Sequence, residues 1–451
     1  MQRARLLATC GLVFLTGCAL QTGSVGDMDA AMGERLALGL GGAESGHPEV
    51  EALVTIAAGL PEALRSAVLA NKGYQAAQAA EAEAFAAIGV ATSVRRAQLS
   101  MNATFGALRE GDPVSKTTSG AAGSATLSQL VYDGGASEGA IDRATAAALA
   151  AQAGRLERGN TIALDAARAW ADYWMATERL ALLQRKTGDL ADLMDQVDRM
   201  AANGMIDLAA VQRARGQNLD IQLERTGLDA ARAEAAVRFE QYFQQVPQKV
   251  GRPVEIVSVQ MARARAADWK SAPALKRTLA ELFAAQGAAE EAHSAFRPRV
   301  SLQAGVTSPM DQASTTDVSA GFRLQYVFGD GGRRKAQLEA AKKRVEALEA
   351  QVTDAQRISK AEMDGALVRL DALERSMPLV AQKIKLTKSE AEIARSQIAT
   401  GQANLQQLIS AEIENYRACD KQIQMQAERL AVLLSVAGRT GYLTELIGLT
   451  R

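Results

Sequence analysis

Few residues in this chain have the types and spacing that enzymes or metal sites require. The two histidines, His47 and His293, are distant from any cysteine or carboxylate cluster with ligand spacing. We therefore expect no zinc site and no histidine-based catalytic centre. No nucleophile and base pair and no phosphate-binding loop occurs. Gly329-Asp330-Gly331-Gly332 is too short for a dinucleotide fingerprint and has no βαβ unit around it. The sequence indicates neither an enzyme nor a cofactor.

One cysteine stands in a context that predicts covalent chemistry. Residues 3–15 contain two arginines followed by a short apolar segment, which is typical of an export signal and too short to span a bilayer as a helix. Leu15-Thr16-Gly17-Cys18 resembles a bacterial lipobox. It predicts a signal peptide over residues 1–17 and lipidation, such as with palmitate, at Cys18. An ordinary secretory leader that contains a cysteine is the alternative. Cys419 has no available partner, so no intrachain disulfide is expected.

Composition favours a helical protein that does not bind nucleic acid. Lys and Arg together number 51, as do Asp and Glu, so the net charge gives no reason to expect a nucleic-acid partner. Aromatic residues make up 4% of the chain and alanine is very frequent. This combination favours long, thin helices over a thick globular core.

The chain contains two copies of one pattern. Asp133-Gly134-Gly135 stands 70 residues before the turn glycine Gly204, and Asp330-Gly331-Gly332 stands 70 residues before Gly401. Three apolar positions after each turn glycine also match, at an offset of 197 residues: Leu208, Val211 and Ala214 with Leu405, Leu408 and Ala411. A fixed internal spacing of this size predicts an internal two-fold repeat of one structural unit.

Each copy contains a predicted β-hairpin. Apolar or small residues alternate with polar or small ones from Leu99 to Ala107, and the alternation is clearer from Val300 to Val306 and from Val318 to Phe328. A period of two indicates strands whose two faces meet different solvents. We place the hairpins at about 97–132 and 298–328. The offset between the two copies falls from 201 residues before the hairpin to 197 after it, so the second hairpin is four residues shorter.

The remaining pattern in each copy is helical. A helix of about 66 residues would be about 100 Å long, which implies a coiled-coil-like assembly. A tether over 18–60 is expected to precede repeat 1, which covers 61–246 and contains helices at 61–96, 136–202 and 206–246 and a tip at 203–206. A linker over 247–273 leads to repeat 2, which covers 274–440 and contains helices at 274–297, 333–400 and 403–438 and a tip at 400–403. The second long helix is expected to kink at Pro378, and a tail over 441–451 ends the chain.

Four strands cannot close a barrel, which predicts that several chains share their strands. Open sheet edges are excluded from lipid because their backbone groups would lack hydrogen bonds. Three chains supply twelve strands, an even number within the range of membrane barrels. Apolar side chains would face lipid, and four polar ones would face a watery lumen: Ser301, Gln303, Arg323 and Gln325. The fold expected is an α+β membrane protein, a trimeric twelve-stranded β-barrel with four strands per chain and a helical rod.

Over about residues 60–440 the sequence resembles the TolC-type outer-membrane factor family. The strand ends Val131-Tyr132-Asp133-Gly134-Gly135 and Val327-Phe328-Gly329-Asp330-Gly331-Gly332 carry the resemblance, with Arg297-Pro298-Arg299-Val300-Ser301 and the turns around Gly204 and Gly401. The resemblance implies a homotrimer whose barrel continues into a long periplasmic α-helical coiled-coil tunnel. It also implies docking to a periplasmic adaptor and an inner-membrane transporter, and export of drugs, small molecules or proteins.

The sequence departs from the family where the tunnel narrows. Members often carry Asp six residues after the tip glycine, and some carry a second Asp three residues further on, where this chain has Ala210 and Arg213 in one repeat and Gln407 and Ser410 in the other. Gln407 and Ser410 are expected to line or flank a constriction that is not acidic at these positions. Glu412 and Glu414 are expected on a solvated helical face; the alternative is that they make the tunnel mouth acidic. Ala97 replaces a usual proline. The adaptor contacts expected at the tip are Gly204, Met205, Ile206, Gly401, Gln402 and Ala403. The alternative is that the glycines only permit a tight turn.

The function expected is therefore that of an outer-membrane exit duct that conducts substrates passively. It would serve a tripartite efflux pump or a type I secretion system, anchored by lipid and barrel in the outer membrane with its helices in the periplasm. The alternative is a structural periplasmic coiled-coil lipoprotein without a pore, which would form no detergent-resistant trimer.

Overall fold

The structure is a computed structural model that describes residues 59–110, 116–203, 208–247, 250–253, 256–308, 315–399 and 405–449. The predicted signal peptide, Cys18 and nearly all of the predicted tether lie outside these residues. So do the six predicted adaptor-contact residues at the two tips.

The described chain contains helices and strands in the order that the internal repeat predicts. The first copy consists of α1 Leu60–Ala70, α2 Lys72–Ser93, β1 Gln98–Glu110, β2 Lys116–Tyr132, α3 Ala136–Ala202 and α4 Leu208–Phe243. The second consists of α5 Val259–Ala267, a 3₁₀ turn at Trp269–Ser271, α6 Pro273–Ser294, β3 Arg299–Ser308, β4 Asp317–Gln325, α7 Arg333–Ala399, α8 Leu405–Arg439 and α9 Tyr442–Leu446. The two long helices, α3 and α7, have 67 residues each, which confirms the predicted duplication.

Three details differ from the sequence prediction. The helix predicted over 61–96 is divided at Asn71, whose side-chain oxygen accepts a hydrogen bond from the Gly73 N–H at 2.9 Å and caps α2. The predicted linker contains α5, which Ser258 caps by accepting from the Met261 N–H at 3.1 Å. Strand β4 ends at Gln325, so Tyr326 and Phe328 lie beyond the strand, where their rings pack edge to face. At Pro378, where the sequence predicts a kink, the structure assigns uninterrupted helix on both sides of the proline.

The four strands form one antiparallel sheet in the order β1-β2-β3-β4. The two hairpins have equivalent registers, because Gln98 lies opposite Ser128 and Arg299 lies opposite Gln325. The second hairpin is four residues shorter between these pairs, as the sequence predicts. Strands β2 and β3 join the two copies, with Ser128 opposite Gln303.

An identical turn leads from each hairpin into its long helix. The Asp133 carboxylate accepts hydrogen bonds from the N–H groups of Gly135, at 3.1 Å, and Ser137, at 2.8 Å. The Asp330 carboxylate does the same for Gly332 and Arg334, at 3.1 and 3.0 Å. The hydrogen bond from the Arg334 N–H is the main cause of a lowered Asp330 pKa. The two glycines of each turn have positive φ, between 68° and 97°, a conformation that side chains disfavour.

Helix α3 is the centre of the helical layer. It packs against α2 and α6, which precede the hairpins, and against α4 and α8, which follow the tips. The main core lies midway along α3, where Trp170 packs on Phe239 and Phe243 with ring centroids 5.6 Å apart. A second core, which includes Leu183 and Leu408, lies toward the tips.

Two glycines bring the backbones of α3 and α6 into direct contact. A Cβ atom on Gly139 would lie 2.7 Å from the Glu291 backbone N, and one on Gly287 would lie 2.7 Å from the Arg143 backbone N. Real Cβ atoms do not approach backbone this closely. The glycines therefore set the distance between these two helices and so join the two repeats beneath the sheet.

We predict that Gly287→Ala lowers stability by about 1–3 kcal/mol, because the added methyl group must separate two packed helices. Gly188→Ala on α3 is the matched control, since Gly188 is exposed, nothing lies within 4 Å of its added Cβ and alanine favours helix by up to about 1 kcal/mol over glycine. Thermal unfolding followed by circular dichroism measures both. Equal unfolding temperatures for the two variants would contradict the close-contact account.

Candidate functional site

The four residues predicted to face a lumen lie together on one face of the sheet. Ser301 lies opposite Arg323 across β3 and β4, and Gln303 and Gln325 are two residues further along their own strands on the same face. All four line a cavity of about 400 Å³ at the helical end of the sheet. The rest of its lining comes from Ser93, Val94, Gln98, Ser128, Leu130 and Arg299.

The opposite face of the sheet is apolar and exposed. Met101, Phe105 and Phe322 are between 73% and 79% exposed, and Leu302 lies directly opposite Phe322. Val318 and Leu324 are more than two-thirds exposed on the same face. Soluble monomers rarely expose a contiguous apolar patch of this kind, so this face is built to contact an apolar environment.

The sheet also ends in two strands with a free edge. Among the described residues, β1 pairs only with β2, and β4 pairs only with β3. The outer N–H and C=O groups of both strands therefore lack strand partners within the chain. Such groups are stable in water, but in hydrocarbon each would cost several kcal/mol, at order of magnitude.

The helical layer, like the two edges of the sheet, has surfaces that lack a packing partner within the described chain. Helix α3 is flanked by α2 and α4 of its own repeat and by α6 and α8 of the other, whereas the main packing partners of α7 in the described chain are α6 and α8, with smaller contacts from α5 and the 3₁₀ turn. Apolar residues remain exposed on α7, including Val368, Leu379 and Leu386, and on α4, including Leu219 and Leu223; their exposed fractions are 58–71%. The exposed apolar residues mark surfaces suited to further helix packing.

The tip end of the molecule is only partly within the described residues. Gly204, Met205, Ile206, Gly401, Gln402 and Ala403, the predicted docking residues, lie outside them. Gln407 and Ser410 lie in the first turns of α8, three residues apart and both exposed, so they share one face of that helix. Their neighbour Gln406 donates a hydrogen bond to the Gln217 side chain on α4 at 3.2 Å.

A buried ion cluster lies a short distance from the tip. Glu412 on α8 is 4% exposed, and its carboxylate pairs with Lys186 on α3 at 3.1 Å and with Arg395 on α7 at 2.7 Å. The prediction that Glu412 lies on a solvated face is therefore wrong, because its side chain points between three helices. Glu414 is half-buried and pairs with Lys383 at 2.6 Å.

Two further polar contacts hold α8 in place. Arg179 on α3 donates two hydrogen bonds to the Asp420 carboxylate, at 2.6 and 3.0 Å. The Tyr416 hydroxyl donates to Glu224 on α4 at 2.6 Å, and burial, with this hydrogen bond, raises the pKa of Tyr416 strongly. Helix α8 is thus connected through charged or polar side chains to all three neighbouring helices near the tip.

The sequence contains a signal for this cluster. Glu412, Tyr416 and Asp420 are spaced four residues apart, so they form one stripe along α8. Arg179 and Lys186 are seven residues apart and likewise share a face of α3. Complementary polar stripes of this kind indicate that the two helices pack against each other, although they do not give the register.

The described residues lack two other kinds of feature. Across the described ranges, no group of three His, Cys, Asp or Glu side chains is arranged to hold a metal ion. In the same ranges, no helix is both long enough and apolar enough to cross a membrane.

Comparison with known proteins supports the resemblance seen in the sequence. The model of the outer membrane efflux protein family matches residues 269–441, the second repeat. No curated protein matches the chain. Solved structures with this fold include the outer membrane protein VceC of Vibrio cholerae, at TM-score 0.75 and 16% identity, covering 84% of this chain and 96% of that one.

Two other solved structures agree. The CmeC outer membrane channel of Campylobacter jejuni matches at TM-score 0.71 and 13% identity, over 85% of this chain and 86% of that one. The MtrE outer membrane channel of Neisseria gonorrhoeae matches at TM-score 0.72 and 16% identity, over 85% of this chain and 88% of that one. The resemblance and the α+β fold class are confirmed.

We predict that Glu412→Gln destabilises the tip end by about 1.5–3 kcal/mol, because it leaves Lys186 and Arg395 without their shared carboxylate. Glu414→Gln is the control. Its ion pair with Lys383 is more exposed, so its loss should cost less than about 1 kcal/mol. Thermal unfolding and the rate of trypsin cleavage near the tip measure the difference. Equal effects of the two substitutions would contradict the claim that the buried ion cluster stabilises the tip end more than an exposed ion pair does.

Proposed function

We propose that this chain, whose second repeat matches the outer membrane efflux protein family, forms an outer-membrane channel from three copies. The observation that carries the proposal is the sheet, which has one apolar exposed face, one polar face and two free edges. An apolar face suits lipid and a polar face suits a water-filled lumen. A periplasmic spacer without a pore gives no reason for an exposed apolar sheet face.

Strand direction supports closure into a ring. All neighbouring strands in the sheet are antiparallel, so β4 runs antiparallel to the β1 strand of a second copy placed beside it. This contact joins two different edges, and repeating it round a symmetry axis closes a ring with no free edge. Three copies give twelve strands, within the range of membrane barrels.

The helices support the same arrangement. Helices α2 and α4 correspond to α6 and α8 in the repeat. Within the chain, α3 receives α6 and α8 on one side. A neighbouring copy would bring its α2 and α4 to the open side of α7 in the equivalent way. The exposed apolar residues of α4 and α7 then become buried between copies, and the helices form a closed coiled-coil tunnel.

The conduction that we propose is passive. Substrates would enter at the helical tips, pass the tunnel and leave through the barrel. Gln407 and Ser410 would line a constriction without acidic rings, and the residues at 203–206 and 400–403 would contact a periplasmic adaptor that links the duct to an inner-membrane transporter. Such a duct serves a tripartite efflux pump or a type I secretion system. A lipid on Cys18 would strengthen outer-membrane attachment.

The test is single-channel recording of the full chain in planar bilayers, with the oligomeric mass measured in detergent. We expect a trimer with discrete openings of low conductance. Leu302→Lys places a charge on the apolar face and should reduce insertion, at about 2–4 kcal/mol per chain at mid-bilayer depth. Gln303→Lys, one residue along on the polar face, should still insert. A monomer without conductance would refute the proposal, as would equal insertion of both variants.

A further inference from the structure

Two arginines lie side by side on the polar face of the sheet. Arg299 on β3 is opposite Gln325, and Arg323 on β4 is opposite Ser301. The two arginines are therefore diagonal neighbours on adjacent strands, with Cα atoms roughly 7–8 Å apart. Both line the cavity of about 400 Å³ described above. Their guanidinium groups can reach a common point.

Neither arginine has an ion-pair or hydrogen-bond partner within the described part of the chain. The cavity lining contains no carboxylate. The acidic residue on the same face of β4 is Asp317, six residues from Arg323 and therefore roughly 20 Å away along the strand.

Several other charged groups at this end of the sheet already have partners. Arg297 donates to the Gly134 carbonyl oxygen at 2.8 Å, and Arg334 pairs with Asp330 at 2.9 Å. Arg95 donates to the Ser137 hydroxyl at 3.0 Å. The Asp133 carboxylate accepts from two backbone N–H groups. Arg299 and Arg323 thus form a local excess of positive charge.

The remaining lining suits an anion. The hydroxyl groups of Ser128 and Ser301 and the amides of Gln98, Gln303 and Gln325 can each donate hydrogen bonds. Gly321, opposite Gln303, adds no side chain, and nothing lies within 4 Å of where its Cβ would be. The cavity therefore has donors, positive charge and room.

We propose that this cavity binds a multivalent anion, a solute that carries phosphate or carboxylate groups. Two neighbouring guanidinium groups can each bind such a group through two parallel hydrogen bonds. The proposal rests on the channel function for its setting. In a trimer, two arginines per chain form a ring of six around the lumen, and such rings favour the passage of anions.

The probe is sodium tripolyphosphate, titrated by calorimetry into the full chain in a non-ionic detergent at low ionic strength. We expect saturable binding that weakens at least tenfold in the Arg299→Gln, Arg323→Gln double variant. The control is the Arg232→Gln, Arg344→Gln double variant, which removes the same charge from exposed helical positions. It should change the affinity less than twofold. No binding, or equal losses in both double variants, would overturn the proposal.

Conductance separates this site from the channel function. Tripolyphosphate added to the side bearing the hairpin loops should reduce the current of the native channel and not that of the Arg299→Gln, Arg323→Gln variant. A conducting channel without arginine-dependent tripolyphosphate binding refutes the site and leaves the channel function intact. Arginine-dependent binding by a chain that does not conduct supports the site and refutes the channel function.

A second arm identifies the source of the anion. The calorimetric titration is repeated in phosphatidylcholine nanodiscs and in nanodiscs that also contain phosphatidylglycerol. A site for a dissolved anion keeps the same affinity in both, because the polar face lies opposite the lipid-facing one. If phosphatidylglycerol competes with tripolyphosphate, the site binds a lipid headgroup and the solute proposal is wrong.

Discussion

The backbone hydrogen bonds at the edges of the sheet are the constraint on which the proposed assembly depends. A sheet with one apolar face can enter lipid only if the N–H and C=O groups of its outer strands find partners. Strands β1 and β4 offer those groups in the chain as described. Three copies would satisfy the requirement by pairing unlike edges, and the apolar and polar faces would then become the outside and the inside of one barrel.

The helical layer follows from the same duplication. Each hairpin leads through an Asp-Gly-Gly turn, with the same hydrogen bonds, into a helix of 67 residues. The repeated turn gives the two long helices equivalent directions relative to their hairpins. Contact at Gly139 and Gly287 brings the repeats together beneath the sheet, and the ion cluster around Glu412 holds them together near the tips. The side of α7 that has no packing partner within the described chain is the surface where a neighbouring copy would bind.

Much of this architecture was predictable because its signals are periodic and repeated. Alternation of residue types placed Ser301, Gln303, Arg323 and Gln325 on one face, and their common cavity agrees with that placement. The break at Asn71 is hard to predict because the helical pattern resumes directly after Asn71 and Gly73 and the following segment is alanine-rich, so the two helices resemble one continuous helix. Helix α5 was missed because nine residues carry too little periodicity.

The buried position of Glu412 is hard to predict for a different reason. Its partners Lys186 and Arg395 lie on two other helices, and Lys186 is 226 residues away in the sequence. Only the relative register of those helices brings the three side chains together. From the sequence alone, a single charged residue in a helical segment is therefore predicted to be exposed to solvent. Its actual environment depends on how the helices pack.

Disulfide trapping of the edge contact tests the central claim, the sharing of strands between copies, most directly. Ser128 lies opposite Gln303 where the two repeats meet. By the repeat, Gln325 of one copy should lie opposite Asn102 of the next, with Cα atoms about 4.5–5.5 Å apart, within disulfide range. In a Cys419→Ser background, the Asn102→Cys, Gln325→Cys variant should yield covalent trimers on oxidation. The Gln98→Cys, Gln325→Cys variant, displaced by four residues, should not. Monomers in both, or equal crosslinking in both, would contradict the shared barrel.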